Sequence, residues 1–138
     1  MRHLGKFFLL HLFVLLSACS MPKDAILAEQ EVPNFHTQLD AAQFNEIYEA
    51  SAEDLKTVTT KQDFVAFLSA VNRKLGKVLK SEKTTWNVNY HTSGTFITLA
   101  YNTTFTNGAG TEQFVYKLLN GRALLVGYHI NSNALITN

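Results

Sequence analysis

The chain has 138 residues, 46% of them apolar, with 12 Lys and Arg against 11 Asp and Glu. That length makes one domain and is too short for two. The even charge leaves no basic field for a phosphate backbone or an anionic lipid surface, so nucleic acid is excluded as an expected partner. In chain order, Arg2 and Lys6 lead into an apolar run from Phe7 to Leu16, followed by Ser17, Ala18 and the single cysteine, Cys19. The run is too short to cross a bilayer of roughly 30 Å, which takes about 20 apolar residues. Its order of basic start, apolar middle and small-residue end is that of a secretory signal.

The tetrapeptide Leu16-Ser17-Ala18-Cys19 resembles the lipobox of bacterial lipoproteins at every position. The resemblance implies that the Cys19 sulfur is alkylated with diacylglycerol, that cleavage falls after Ala18, and that the new amino group is acylated. An ordinary signal peptide with a chance cysteine, or a single-pass anchor, are the competing readings. On the lipoprotein reading residues 1–18 leave with Arg2 and Lys6, which brings the formal charge to −1. Acyl chains then supply the anchoring, at about 0.8 kcal/mol per buried methylene. No thiol remains for a disulfide, for thiolate catalysis or for zinc. Ser20, where aspartate would stand in an inner-membrane signal, resembles outer-membrane sorting and places the chain in the envelope, facing the periplasm.

Residues 19–34 hold both prolines and read as a lipidated N-terminus and polar tether. The single domain is expected over 35–138. Leu39, Phe44, Ile47 and Tyr48 predict a first helix over 36–50. Ser51-Ala52-Glu53-Asp54 reads as a capping box opening a short turn with Leu55 and Val58, and Thr60-Lys61-Gln62-Asp63 as a second one. The latter starts the clearest helix, with Phe64, Phe67, Leu68, Val71 and Leu75 on one face and Gly76 beyond its end. The period then falls to two. Trp86, Val88 and Tyr90 alternate with polar residues, and Lys77–Ser81 form an added strand or a lead-in. Strands follow through Ile97, Leu99, Tyr101 and Phe105, through Phe114, Tyr116 and Leu118, and through Leu124, Val126, Tyr128 and Ile130. Between the last two, Asn120-Gly121 predicts a type I′ hairpin.

Helices first and strands afterwards define an α+β domain, helices packed on a curled antiparallel sheet of four or five strands. The order resembles the cystatin-like or nuclear-transport-factor-like cone. Leu39-Asp40, Phe44 with Tyr48, Leu75-Gly76, Trp86, Thr111-Glu112-Gln113-Phe114 and Gly127-Tyr128-His129-Ile130 are similar to a family of small bacterial lipoproteins of unknown function. That resemblance implies a fold and no activity.

No phosphate loop, metalloprotease motif, nucleophile elbow or paired carboxylates occur, and no cofactor or metal is expected. His36, His91 and His129 lack ligand spacing and read as surface residues. A cone of this kind would hold a pocket between helices and sheet, and the candidates to line it are Asp40, Tyr48, Trp86, Tyr90, Tyr101 and Tyr128. The competing reading makes the tyrosines core residues with hydroxyls at the rim. Asn102-Thr103-Thr104 matches a glycosylation sequon, incidental in a bacterial lipoprotein. Val115, Leu119 and Leu125 put apolar groups on the sheet face opposite the helices, which points to a homodimer or an envelope protein partner, or else to a face-swapping bulge or the C-terminal segment folding back. The leading function is therefore a membrane-anchored, non-enzymatic binding or interaction module. The alternatives are a cone-pocket enzyme doing acid–base chemistry on a small molecule, and an accessory or immunity subunit of an envelope or secretion assembly.

Overall fold

The computed structural model describes residues 21–138, so the signal 1–18 and Cys19 lie outside the described residues. Four helices, α1 (Lys23–Asp40), α2 (Phe44–Ala50), α3 (Glu53–Val58) and α4 (Lys61–Leu75), precede four strands. These are β1 (Val78–His91), β2 (Gly94–Phe105), β3 (Gly108–Leu119) and β4 (Arg122–Asn131), and a last turn of helix, α5 (Ala134–Thr137), closes the chain. The strands form one antiparallel sheet in the order β1-β2-β3-β4. The α+β class and the segregation of helices from strands are as the sequence predicts.

The N-terminal boundary is not. The tether expected over 19–34 is helix from Lys23 onward, so the folded body starts well before residue 35. Ala25, Ala28, Val32, Phe35 and Leu39 recur at spacings of three and four and all are buried. That stripe holds the helix despite Pro33 in its interior, whose ring and missing N–H cost about 3 kcal/mol. Nor is 36–50 one helix. Leu39 and Phe44 are five apart, which breaks the helical spacing, and Ala42 adopts a left-handed φ of 56° between α1 and α2.

Thr60 caps α4 as expected: its Oγ1 accepts from the Asp63 N–H at 3.2 Å while its hydroxyl donates to Asp63 Oδ2 at 2.7 Å. Ser51 caps nothing. Its hydroxyl donates back to the Ile47 carbonyl at 2.7 Å, and Ala52 stands at the N-cap of α3. Phe64, Leu68, Val71 and Leu75 are buried, while Phe67 sits at the edge of the stripe, half-exposed, its ring centroid 6.0 Å from that of Tyr128. Gly76 ends α4 at φ 74°, where a Cβ would also come within 2.9 Å of Thr106 Oγ1.

The sheet departs from simple alternation in two strands. β1 absorbs the Lys77–Ser81 lead-in and carries irregularities between Val78 and Lys80 and between Lys83 and Thr85. Val78, Ser81 and Lys83 thus share one face with Trp86, Val88 and Tyr90, opposite Phe105, Thr103, Tyr101, Leu99, Ile97 and Thr95 in turn. In β4 an extra residue, Val126, sits between the partners of Val115 and Tyr116. The bulge swaps faces, so Leu125 and Ala123, not Leu124 and Val126, join Tyr128 in the core. Leu125 is thereby removed from the outer face, where Val115 and Leu119 remain. Asn120 and Gly121 both take positive φ, as a type I′ turn requires. One sheet edge is capped, because the Ala52 N–H donates to the Leu125 carbonyl at 2.9 Å. At the other edge β1 has no strand beyond it among the described residues.

Candidate functional site

Beneath α1 a carboxyl group lies at the centre of the molecule. Glu112, from the inner face of β3, has no exposed surface. Burying a carboxylate is costly unless its lone pairs are filled, and three donors fill them here. His36 Nε2 lies 2.8 Å from Oε2, the Tyr128 hydroxyl donates to Oε1 at 2.6 Å, and the Thr103 hydroxyl donates to Oε2. Thr103 has only one proton to give, so the 2.8 Å contact with Ser81 runs from the serine hydroxyl to Thr103 Oγ1. One residue from each strand and one from α1 thus meet in a single hydrogen-bonded group. Around it Phe114, Phe35 and Tyr101 pack edge to face or tilted, which keeps water out.

This arrangement fixes the histidine. With Nε2–H committed to the carboxylate, Nδ1 is the ring atom left on the other side, and it offers a lone pair whenever the ring carries a single proton. Nδ1 has no protein partner among the described residues, and His36, 7% exposed, opens on a cleft of about 500 Å³ between α1, β1 and β2. Val32, Pro33 and Val78 make its apolar walls. Tyr101, 6% exposed, also lines it, and its hydroxyl likewise has no protein partner among the described residues. At the rim Lys83 pairs with Glu29 at 2.7 Å, and Asp40 Oδ1 accepts the Val78 N–H at 3.1 Å. A second hollow, of about 390 Å³, is lined mostly by exposed side chains such as Lys80, Glu82 and Asn102, and offers a ligand little relief from water.

Of the six residues expected around a pocket, the structure brings two, Asp40 and Tyr101, to the cleft. Tyr128 lies deeper, on Glu112. Tyr48 is buried with its hydroxyl on the Thr59 carbonyl at 3.0 Å, remote from the cleft. Trp86 and Tyr90 are corrected outright: they are 39% and 68% exposed on β1 and line no part of the cleft. His36 is buried and not on the surface, because α1 starts early enough to lay it against β3. His91 and His129 are exposed as expected, and no cluster suited to a metal occurs among the described residues. Asn102 and Thr104 of the sequon stretch are solvated, whereas Thr103 points inward to Glu112. Sequence reasoning misses Glu112 itself. Its only signal is a charge at an inward position of an alternating strand, between Gly110 and Phe114.

Burial pushes the Tyr101 hydroxyl up to about 12, with Glu29 and Glu112 adding to the effect. Tyr116 and Tyr128 are raised as well, burial again first. A tyrosine that ionises later in the folded chain than in the unfolded one, at about 10, stabilises fully below that pH and loses its contribution as pH rises. The urea midpoint is therefore expected to fall between pH 10 and 12, and Tyr101→Phe to flatten part of that slope. A midpoint unchanged across the window contradicts the burial of these rings.

Helices laid over a curled four-stranded antiparallel sheet, with a buried polar group under the first helix, define an α+β domain of the cone type. The chain belongs to the family described as a protein of unknown function (DUF4019), which matches residues 32–128. Its fold is similar to that of Aln2 from a Streptomyces species, with a TM-score of 0.55 and 11% identity over 86% of this chain and 96% of that one. At that identity the likeness shows the fold alone. No curated protein matches the sequence. Among the described residues no helix is long and apolar enough to cross a membrane.

Proposed function

We propose that the protein is a lipid-anchored binding module of the bacterial envelope, holding a small uncharged ligand in the cleft beside α1. The observation that carries the reading is the pair of open polar atoms, His36 Nδ1 and the Tyr101 hydroxyl, on side chains more than nine-tenths buried. Among the described residues every fully buried side-chain nitrogen and oxygen has a partner, so these two atoms are open to the cleft and a ligand can reach them. One accepts and the other donates, so together they suit a hydroxyl or amide attached to an apolar body that fits Val32, Pro33 and Val78. A carboxylate ligand is disfavoured: Lys83 is neutralised by Glu29, and Asp40 and Glu112 add negative charge nearby. The Cys19 lipobox supports the anchoring. A second reading rests on the way Glu112 orients His36, since an imidazole so held can act as a general base toward a bound molecule.

Nuclear magnetic resonance of the His36 ring nitrogens tests the binding reading, with benzyl alcohol and benzamide as probes and benzoate as the charged control. The neutral probes are expected to shift Nδ1, and Tyr101→Phe to weaken them by about 1 kcal/mol, the ordinary worth of one hydrogen bond. Probes that leave His36 unmoved, or benzoate binding best, would overturn the assignment of the cleft. For the anchor, the test is the intact mass of the membrane-extracted protein.

A further inference from the structure

We infer that the tip of the β1–β2 hairpin, led by Trp86 and Tyr90, seats in the headgroup region of the phospholipid bilayer that holds Cys19. The inference rests on the proposed lipidation and adds a second contact to it. It begins with direction. Asp40 touches the start of β1 through Val78 N, and Glu29 touches Lys83 further along, so α1 runs antiparallel to β1. A helix rises about 1.5 Å per residue and a strand about 3.3 Å, and the two elements keep pace over that stretch. Met21, just ahead of α1, also reaches Lys83. By the same rises Lys23 lies about 9 Å beyond Glu29, roughly level with Trp86, while β1 continues past it to His91.

Trp86 stands at the start of that overhang and Tyr90 within it. Trp86 and Val88 pair with Leu99 and Ile97 on the inner face, yet Leu99 and Ile97 are fully covered while Trp86 is 39% and Tyr90 68% exposed. Ile26, on the first turns of α1, is 42% exposed. Residues 84–91 contain no Lys, Arg, Asp or Glu. Tyr and Trp carry an apolar ring with one polar atom and favour the boundary between headgroups and acyl chains. Cys19 stands four residues before Lys23. At no more than about 3.6 Å per residue, the lipid attachment lies within about 14 Å of the helix start. An anchor on so short a lead holds this end of the molecule, and no other, against the membrane.

Trp86 is the only tryptophan, so it reports directly. The full chain, extracted with its acyl groups, is reconstituted into phosphatidylcholine vesicles with plain or brominated acyl chains. The expected result is a blue shift of Trp86 emission on reconstitution and quenching in the brominated vesicles alone. Tyr90→Ser should lessen the quenching while leaving the protein membrane-bound. An acylated, vesicle-bound chain whose emission is equal in both vesicles overturns this inference and leaves the anchoring intact. So does a shift that follows protein density and ignores bromination, which would mean that a second copy pairs with the open β1 edge. An intact mass without acyl groups on Cys19 removes both.

Discussion

Replacing Glu112 with leucine is expected to lower the free energy of unfolding by about 3–5 kcal/mol, the usual cost of breaking a buried pair by removing one partner. Leucine fills much the same space, so the loss does not come from a cavity. It comes from the donors left behind: His36 Nε2, the Thr103 hydroxyl and the Tyr128 hydroxyl would each face an apolar side chain, at about 1–3 kcal/mol for an unmade buried bond. A double replacement of His36 and Glu112 by leucine should cost less than the two single changes together, because it leaves fewer orphaned donors. Urea unfolding of the three variants checks both statements. A loss under about 1 kcal/mol for Glu112→Leu, within the ordinary surface range, would show that water reaches the carboxyl.

The second large effect is expected at Phe114, two residues further along β3. Its ring has no exposed surface and lies within 6.2 Å, centroid to centroid, of Phe35, His36, Tyr101, Tyr116 and Tyr128. Phe114→Ala should cost about 3–5 kcal/mol, the range for removing a buried aromatic ring from a packed interior. Few of those neighbours can collapse into the space, since Tyr128 is held on Glu112 and Phe35 by the turn of α1. Thermal unfolding measures the loss. A melting temperature close to that of the parent would mean that the ring is not a central packing element.

The α+β class was legible because its signals are local. The stripe of α4, the Thr60 cap and the Asn120-Gly121 turn each depend on residues within a turn or two of one another. The structure departs from the sequence pattern where a local rule meets a tertiary one. The two prolines and the polar residues between them suggest a tether, yet the spacing of Ala25, Ala28, Val32, Phe35 and Leu39 is present in the same segment. The alanines hid it, being weak as hydrophobes but well suited to a helix lying close on a sheet. Bulges at β1 and β4 were illegible, because an extra residue in a strand shows only once its partner is known.

The site was harder still. Residue type alone points to Asp40 and Tyr101, and it misplaces Trp86 and Tyr90 for the same reason, since a strand pattern gives the face and not how far the helices cover it. Glu112 could not be recognised without His36, which lies 76 residues away in sequence. An acidic residue at an inward strand position in Gly110-Thr111-Glu112-Gln113-Phe114 was the one cue.

The carboxyl at which α1, β2, β3 and β4 meet also bears on how the domain comes apart. Neither β2, β3 nor β4 can leave without stranding the acid or a donor to it, so partial openings near the centre are heavily penalised. Fraying is left to the hairpin tips and to α5, and the middle of the molecule yields as a unit.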